Sequence, residues 1–345
     1  MLLYKKRRTM YTTNENKQEQ MKYRMTPQKF IKKCDISLKN CQQLGGLINT
    51  GDSCYLDSVL FALLAIPNKF VNKYLLFKKI NNNKHNSFLE LLQKYLIYLT
   101  GEIRIKNTFQ VCTPFRNIIK KHQVSGMPNF SLPGQQEAGE FLIYFLSLFN
   151  SQNVAVTQYT SYATNSVSKK VKSNDLIHTH TNVDTNASIV VFIDSFTLFD
   201  KRNFDNHVYH FLKHREDTGI LDKNNLFTHG DKKYIRKISY TQIIDAPQLI
   251  LWAQRANPIT NTVLRTRIIP NRIISLRNKK KLRLYSIVLH LGNISNGHYI
   301  TYFRNKKMWY LYDDISRHVS EIGNYTQLLN FHPNVSTHGV LFFYG

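Results

Sequence analysis

The order of the apolar runs constrains this chain most. Helical stripes come early and strand-like runs come late, without the alternation that builds a parallel sheet from βαβ units. "CYLDSVLFALLAI" places Leu56, Val59, Leu60, Leu63 and Leu64 at helical spacing, with Pro67 just beyond. "SFLELLQKYLIYL" repeats Phe88, Leu91, Leu92, Tyr95, Leu96 and Leu99, and "QEAGEFLIYFLSLF" repeats Ala138, Phe141, Leu142, Phe145, Leu148 and Phe149. The last hundred or so residues instead carry "PQLILWA", "RLYSIVLHL", "HYITYFR", "MWYLYDD" and "GVLFFYG", rich in β-branched and aromatic residues at strand length. An α+β fold is expected, with no internal repeat. Between the two halves, from about 150 to 248, the chain turns to Ser, Thr and Asn with short β-like runs such as "SIVVFIDSF".

Residues 1–43 are polar, basic and aperiodic, which predicts a mobile extension ahead of a folded unit over 44–345. The extension has no apolar core behind its charges, and no later run approaches the length of a membrane span. The expectation is therefore an intracellular protein, cytoplasmic or nuclear (in a host cell if the chain is viral), with no membrane partner. Four cysteines, Cys34, Cys41, Cys54 and Cys112, form no CxxC pair and no secretory framework, in keeping with a reducing compartment. The net charge of +25 supports two readings. One is codon bias toward Lys and Asn; the other is weak polyanion or nucleic-acid association, most simply through the "YKKRR" run at Lys5–Arg8 in the extension.

Cys54 stands after glycine-marked turns, at the expected N-terminus of the first helix. There, unpaired amides and the helix dipole favour a thiolate. A nucleophilic thiol needs a base, and His298 in "SNGHYITYFRNKKMWYLYDD" opens a strand whose hairpin partner ends in Asp313 and Asp314. Adjacent antiparallel strands can bring that end beside His298. Spacing alone leaves His298 as an ordinary satisfied histidine and Asp313 as a turn residue.

"GLINTGDSCYLDSVLFALLA" resembles the Cys box of the ubiquitin-specific proteases, GLxNxGNTCYxNSxLQxL, and "NGHYITYFR" with "WYLYDD" resembles their His box. "QQEAGEFLIYFL", "APQLILWAQR" and the closing "GVLFFYG" match further family segments in order, so the resemblance spans 44–345. It implies a papain-like cysteine protease core with a helical thumb, a β-rich palm and a fingers extension, here roughly 155–248. It further implies Cys54 as nucleophile, His298 as base, Asp313 as its orienting acid with Asp314 as the alternative, and Asn49 as oxyanion donor. The implied reaction is hydrolysis of the isopeptide or peptide bond after the C-terminal glycine of ubiquitin, so ubiquitin or ubiquitinated proteins are the expected partners. Gly297 and Tyr299 are expected to line the cleft. Glu137 is expected either to meet the basic ubiquitin tail or to be a plain acid at a helix N-terminus.

The pattern is broken at Asp52 (for Asn), Asp57 (for Asn), Phe61 (for Gln) and Gly139 (for His). "SCYLDSVLF" is closer to the cylindromatosis-type members. With no cysteine beyond Cys112, the family's zinc site of two CxxC pairs cannot form, and His207, His210 and His214 are read as surface histidines, so no metal and no cofactor are expected. Two alternatives stay open: a protease for another ubiquitin-like modifier, and an inactive ubiquitin-binding protein, the latter resting on Asp52 and Gly139.

Overall fold

The computed structural model describes residues 44–345 except 50, 67, 78–86, 105–111, 121–127, 133, 150–153, 164–175, 188, 194–214, 221–226, 230–231, 235, 258–259, 277, 295 and 317. The extension, Cys34, Cys41 and the three histidines His207, His210 and His214 lie outside these residues. The helices come first: α1 (Cys54–Leu64), a π-helical turn over Val71–Leu76, α2 (Ser87–Arg104), α3 (Cys112–Ile119) and α4 (Ala138–Leu148). Strands follow from Val154 onward, which bears out the α+β order.

Two sheets matter for the site. In the larger, strands β12 (Lys281–Gly292), β13 (Gly297–Asn305), β14 (Met308–Asp313) and β15 (His318–Gly323) form an antiparallel meander. The sheet continues from β12 through β16 (Gly339–Tyr344) and β8 (Leu249–Ala253) to β3 (Val190–Ile193), the last two strands paired in parallel. β11 (Ile273–Ser275) adds an eighth strand beside β12. The separate four-stranded sheet runs in the order β2 (Leu176–Ala187), β1 (Val154–Ala163), β7 (Arg236–Asp245) and β4 (Arg215–Ile220).

Helix α1 lies against the large sheet. Its apolar stripe suggested a helix with one wet face, yet all eleven residues are buried. The sheet, α2 and α4 all touch it, so the polar residues Asp57 and Ser58 must find partners inside the protein. Ser58 Oγ donates to the Tyr299 carbonyl at 2.9 Å, and Thr301 Oγ1 donates to the Ser58 carbonyl at 3.0 Å. These bonds fix α1 to β13, and with it the cysteine to the histidine strand. Phe61, a departure from the family pattern, stacks on Tyr312 at 3.7 Å between ring centroids.

Other stripes hold with small differences. Phe88, Leu92, Leu96 and Leu99 of α2 are buried, while Leu91 is 51% exposed. Helix α3 and two short helices near the C-terminus, α5 (Tyr325–Phe331) and α6 (Asn334–His338), were not anticipated. A segment of five to eight residues carries too few turns for a period to stand out.

Candidate active site

Cys54 opens α1 and is 3% exposed. The two residues of the preceding turn have positive φ, Gly51 at 81° and Asp52 at 52°. Among residues with a side chain, Asn and Asp tolerate that left-handed conformation best, which explains Asp52 in place of the family's asparagine. Asp52 is exposed, so water screens its carboxylate from the thiol.

His298 is the second residue of β13 and Asp313 the last of β14. The ladder pairs Thr301 with Tyr312. Extending it by one sets Asp313 opposite Ile300, making His298 its diagonal neighbour on the same face. His298 Nε2 meets Asp313 Oδ1 at 2.9 Å, and Asp314 Oδ1 lies 3.5 Å from the same nitrogen. Both acids lie on Nε2, which leaves Nδ1 for Cys54, whose side chain also interacts with the ring. Burial alone would push the His298 pKa down. The bonds to Asp313 and Cys54 and the charges of Asp314 and Cys54 outweigh it and hold the pKa at about 10. The imidazole is thus charged at neutral pH. Its partner Asp313 is held below the usual carboxylate range, chiefly by the histidine, and also accepts the Ile315 amide at 2.9 Å.

Asn49 stands on the other side. Its Oδ1 accepts the Gly51 amide at 2.9 Å and lies 3.5 Å from Ser53 Oγ, while its side chain also interacts with Asp314. An amide with its oxygen so occupied has its nitrogen left to donate.

The remaining expected residues have structural duties. Glu137 is the N-cap of α4: its Oε2 accepts the amides of Gly139 and Glu140 at 2.6 and 2.9 Å. Burial lifts its pKa to about 7 in spite of those two bonds. Tyr299 is buried and stacks on His290 at 4.6 Å between ring centroids. Gly297 donates its amide to Gln135 Oε1 at 3.2 Å, and a Cβ there would fall 2.0 Å from His290 Nε2. Gly139 is explained likewise: a Cβ would fall 2.1 Å from the Trp252 indole, which occupies the space a larger residue would need.

Sequence reasoning missed the buried acid beneath the site. Asp57 is fully buried, accepts Ser53 Oγ at 2.6 Å and interacts with Asp314, itself 1% exposed. The only signal was its departure from the family's asparagine. His298, Asp313 and Asp314 are, among the described residues, a group whose donor atoms lie within 4.8 Å of one another and could hold a metal ion. The 2.9 Å bond between His298 and Asp313 already engages the nitrogen and oxygen such an ion would take.

Comparison with known proteins gives a family and a likeness of fold. A family model described as ubiquitin carboxyl-terminal hydrolase matches residues 45–344. No curated protein matches the sequence. Among solved structures, the SAGA DUB module Ubp8/Sgf11/Sus1/Sgf73 bound to monoubiquitin aligns with a TM-score of 0.60 at 20% identity, over 88% of this chain and 69% of that one. The same module bound to ubiquitin aldehyde aligns with a TM-score of 0.60 at 18% identity, over 89% and 70%. At such identities the likeness is one of fold.

Proposed function

The chain belongs to the ubiquitin carboxyl-terminal hydrolase family of cysteine-type deubiquitinases, and we propose that Cys54, His298, Asp313 and Asn49 are the residues with which it cleaves after the C-terminal glycine of ubiquitin. The observation that carries this assignment is one histidine bonded to an acid at 2.9 Å and interacting with the thiol at the start of a helix. The Cys54 thiolate attacks the glycine carbonyl. As the tetrahedral intermediate forms, the Asn49 amide donates to its oxyanion. His298 then gives its proton to the departing amine. Water, deprotonated by the same imidazole, releases the acyl group and restores the thiolate and the charged imidazole.

The reading extends to organisation. Residues 44–345 form the catalytic domain, with the polar segment of about 155–248 as the fingers. The four-stranded sheet within Val154–Asp245 supports that placement. The inactive-binder reading loses its two supports, since Asp52 suits a left-handed turn and Gly139 makes room for Trp252. Polyanion association remains a reading of the extension's charge alone. Among the described residues no helix is long and apolar enough to cross a membrane; the intracellular reading rests on cysteine usage, with four cysteines and no CxxC pair.

The test is reaction of the purified protein with ubiquitin carrying a C-terminal thiol-reactive group. A covalent adduct is expected with wild type and none with Cys54→Ala. An adduct formed only by a different ubiquitin-like modifier would keep the mechanism and change the substrate.

A further inference from the structure

Asp57 is a carboxyl group on a wholly buried helix, for which the mechanism above has no use. Its Oδ2 accepts Ser53 Oγ at 2.6 Å, while its Oδ1 has no hydrogen-bond donor. Asp314 lies beside it, and neither of its oxygens meets a donor in good geometry; His298 Nε2 stands off at 3.5 Å. Two ionised carboxylates cannot face each other out of water at tolerable cost. A single proton shared between them removes the repulsion and satisfies an oxygen on each side.

We propose that Asp57 is a neutral carboxylic acid whose O–H donates to the Asp314 carboxylate, and that the ring Asn49, Ser53, Asp57, Asp314 is a positioning device that aims the Asn49 amide and holds Asp314 beside His298. Burial, as the leading cause, raises both acids, Asp57 well above the ordinary carboxylate range and Asp314 to about 6. The other charged or titratable groups facing the pair are Arg116 of α3, Tyr312 and Asp313 of β14 and His298 of β13. No hydrogen bond or ion pair joins any of them to Asp57; Arg116 turns its guanidinium to the Tyr55 hydroxyl at 3.5 Å. The family's asparagine at this position presents an amide donor at every pH. An aspartate does so only while it keeps its proton, so this chain has exchanged a fixed donor for one that alkali removes.

The role of the ring in turnover rests on the function proposed above, but its proton can be tested without any substrate. Infrared difference spectra of the full chain at neutral pH, wild type minus Asp57→Asn, are expected to contain the carbonyl band of a protonated carboxylic acid, absent from wild type minus Asp52→Asn. Thermal stability gives a second readout. An acid with a raised native pKa binds more protons folded than unfolded, so its contribution falls as pH rises. Asp57→Asn should therefore gain on wild type progressively as pH rises above about 4, where an unfolded aspartate titrates. In ubiquitin hydrolysis Asp57→Asn should stay within about threefold of wild type and lose its alkaline decline. Asp57→Ala should lose about tenfold in kcat with little change in KM, the rate equivalent of one buried hydrogen bond left unmade. A missing acid band, or a stability difference that does not change with pH, would overturn the shared proton. Equal losses in Asp57→Asn and Asp57→Ala would overturn the positioning role. A wild-type protein that cleaves no ubiquitin would count against the proposed function and leave the first two readouts decisive for the pair.

Discussion

The two walls of the site are built by different means. On one, the hairpin of β13 and β14 carries His298 and Asp313 on a backbone ladder that runs from the pair Thr301 and Tyr312 to the two-residue turn after Asn305, where Lys306 sits at φ 54°. On the other, residues 44–53 run into α1 and are held largely by side chains: Asn49 on the Gly51 amide, Ser53 on Asp57, and the Tyr312 hydroxyl on Leu47. A ladder fixes its side chains by register, so it tolerates change elsewhere. A wall made of side-chain bonds is only as well placed as its members. The departures nearest the nucleophile, Asp52 and Asp57, fall on this second wall, and each has a compensating local geometry.

The sharpest way to test the contrast is to remove the working residue of each wall. His298→Ala should lower kcat by about four orders of magnitude or more, as for any member of a nucleophile–base unit. It also has a signature in stability. The folded pKa of about 10 lies above the ordinary value of 6.5. The stabilisation from protonated His298 is thus fully present below about pH 6.5 and lost as pH rises through about 10, and the gap between wild type and His298→Ala should close over that window. A gap that widens toward alkaline pH would mean that the histidine is neutral in the fold. Asn49→Ala should cost less, about a hundredfold to a thousandfold in kcat, as for loss of a single oxyanion donor. An equal loss from both variants would make the side-chain wall as indispensable as the ladder.

The same contrast explains what was legible beforehand. Strand-length runs of aromatic and β-branched residues, and the hairpin between them, gave the sheet and brought the strand end with Asp313 and Asp314 beside His298, because period and register are local properties of sequence. The choice between Asp313 and Asp314 was not local. It depends on depth: Asp313 is part-exposed and hydrogen-bonded to the histidine, whereas Asp314 is buried and turned toward Asp57 and Asn49. Nor could Asp57 be recognised as buried, since an acid three residues into a helix ordinarily marks its wet face and complements its dipole. Of the two readings that Glu137 allowed, the helix N-terminal acid is the one with a local geometry: its Oε2 accepts two amides of its own helix.

The smallest effect should come from the hydroxyl that ties the stretch before the nucleophile to β14. The Tyr312 hydroxyl accepts the Leu47 amide at 2.8 Å and donates to the Leu47 carbonyl at 3.0 Å, all within the buried core. Removing only that oxygen, by Tyr312→Phe, leaves the ring stacked on Phe61 and the ladder of β14 untouched. It strands a buried donor and a buried acceptor on the segment that carries Asn49. The cost expected in unfolding experiments is about 2 kcal/mol, the usual penalty for unmet buried polar groups. Because Leu47 is two residues from Asn49, the loss should fall on the side-chain wall first. Peptide amides of residues 44–49 should exchange hydrogen faster in Tyr312→Phe while those of β13 keep their protection. If both segments loosened together, the walls would be one cooperative unit, and the distinction between ladder and side-chain construction would be one of description only.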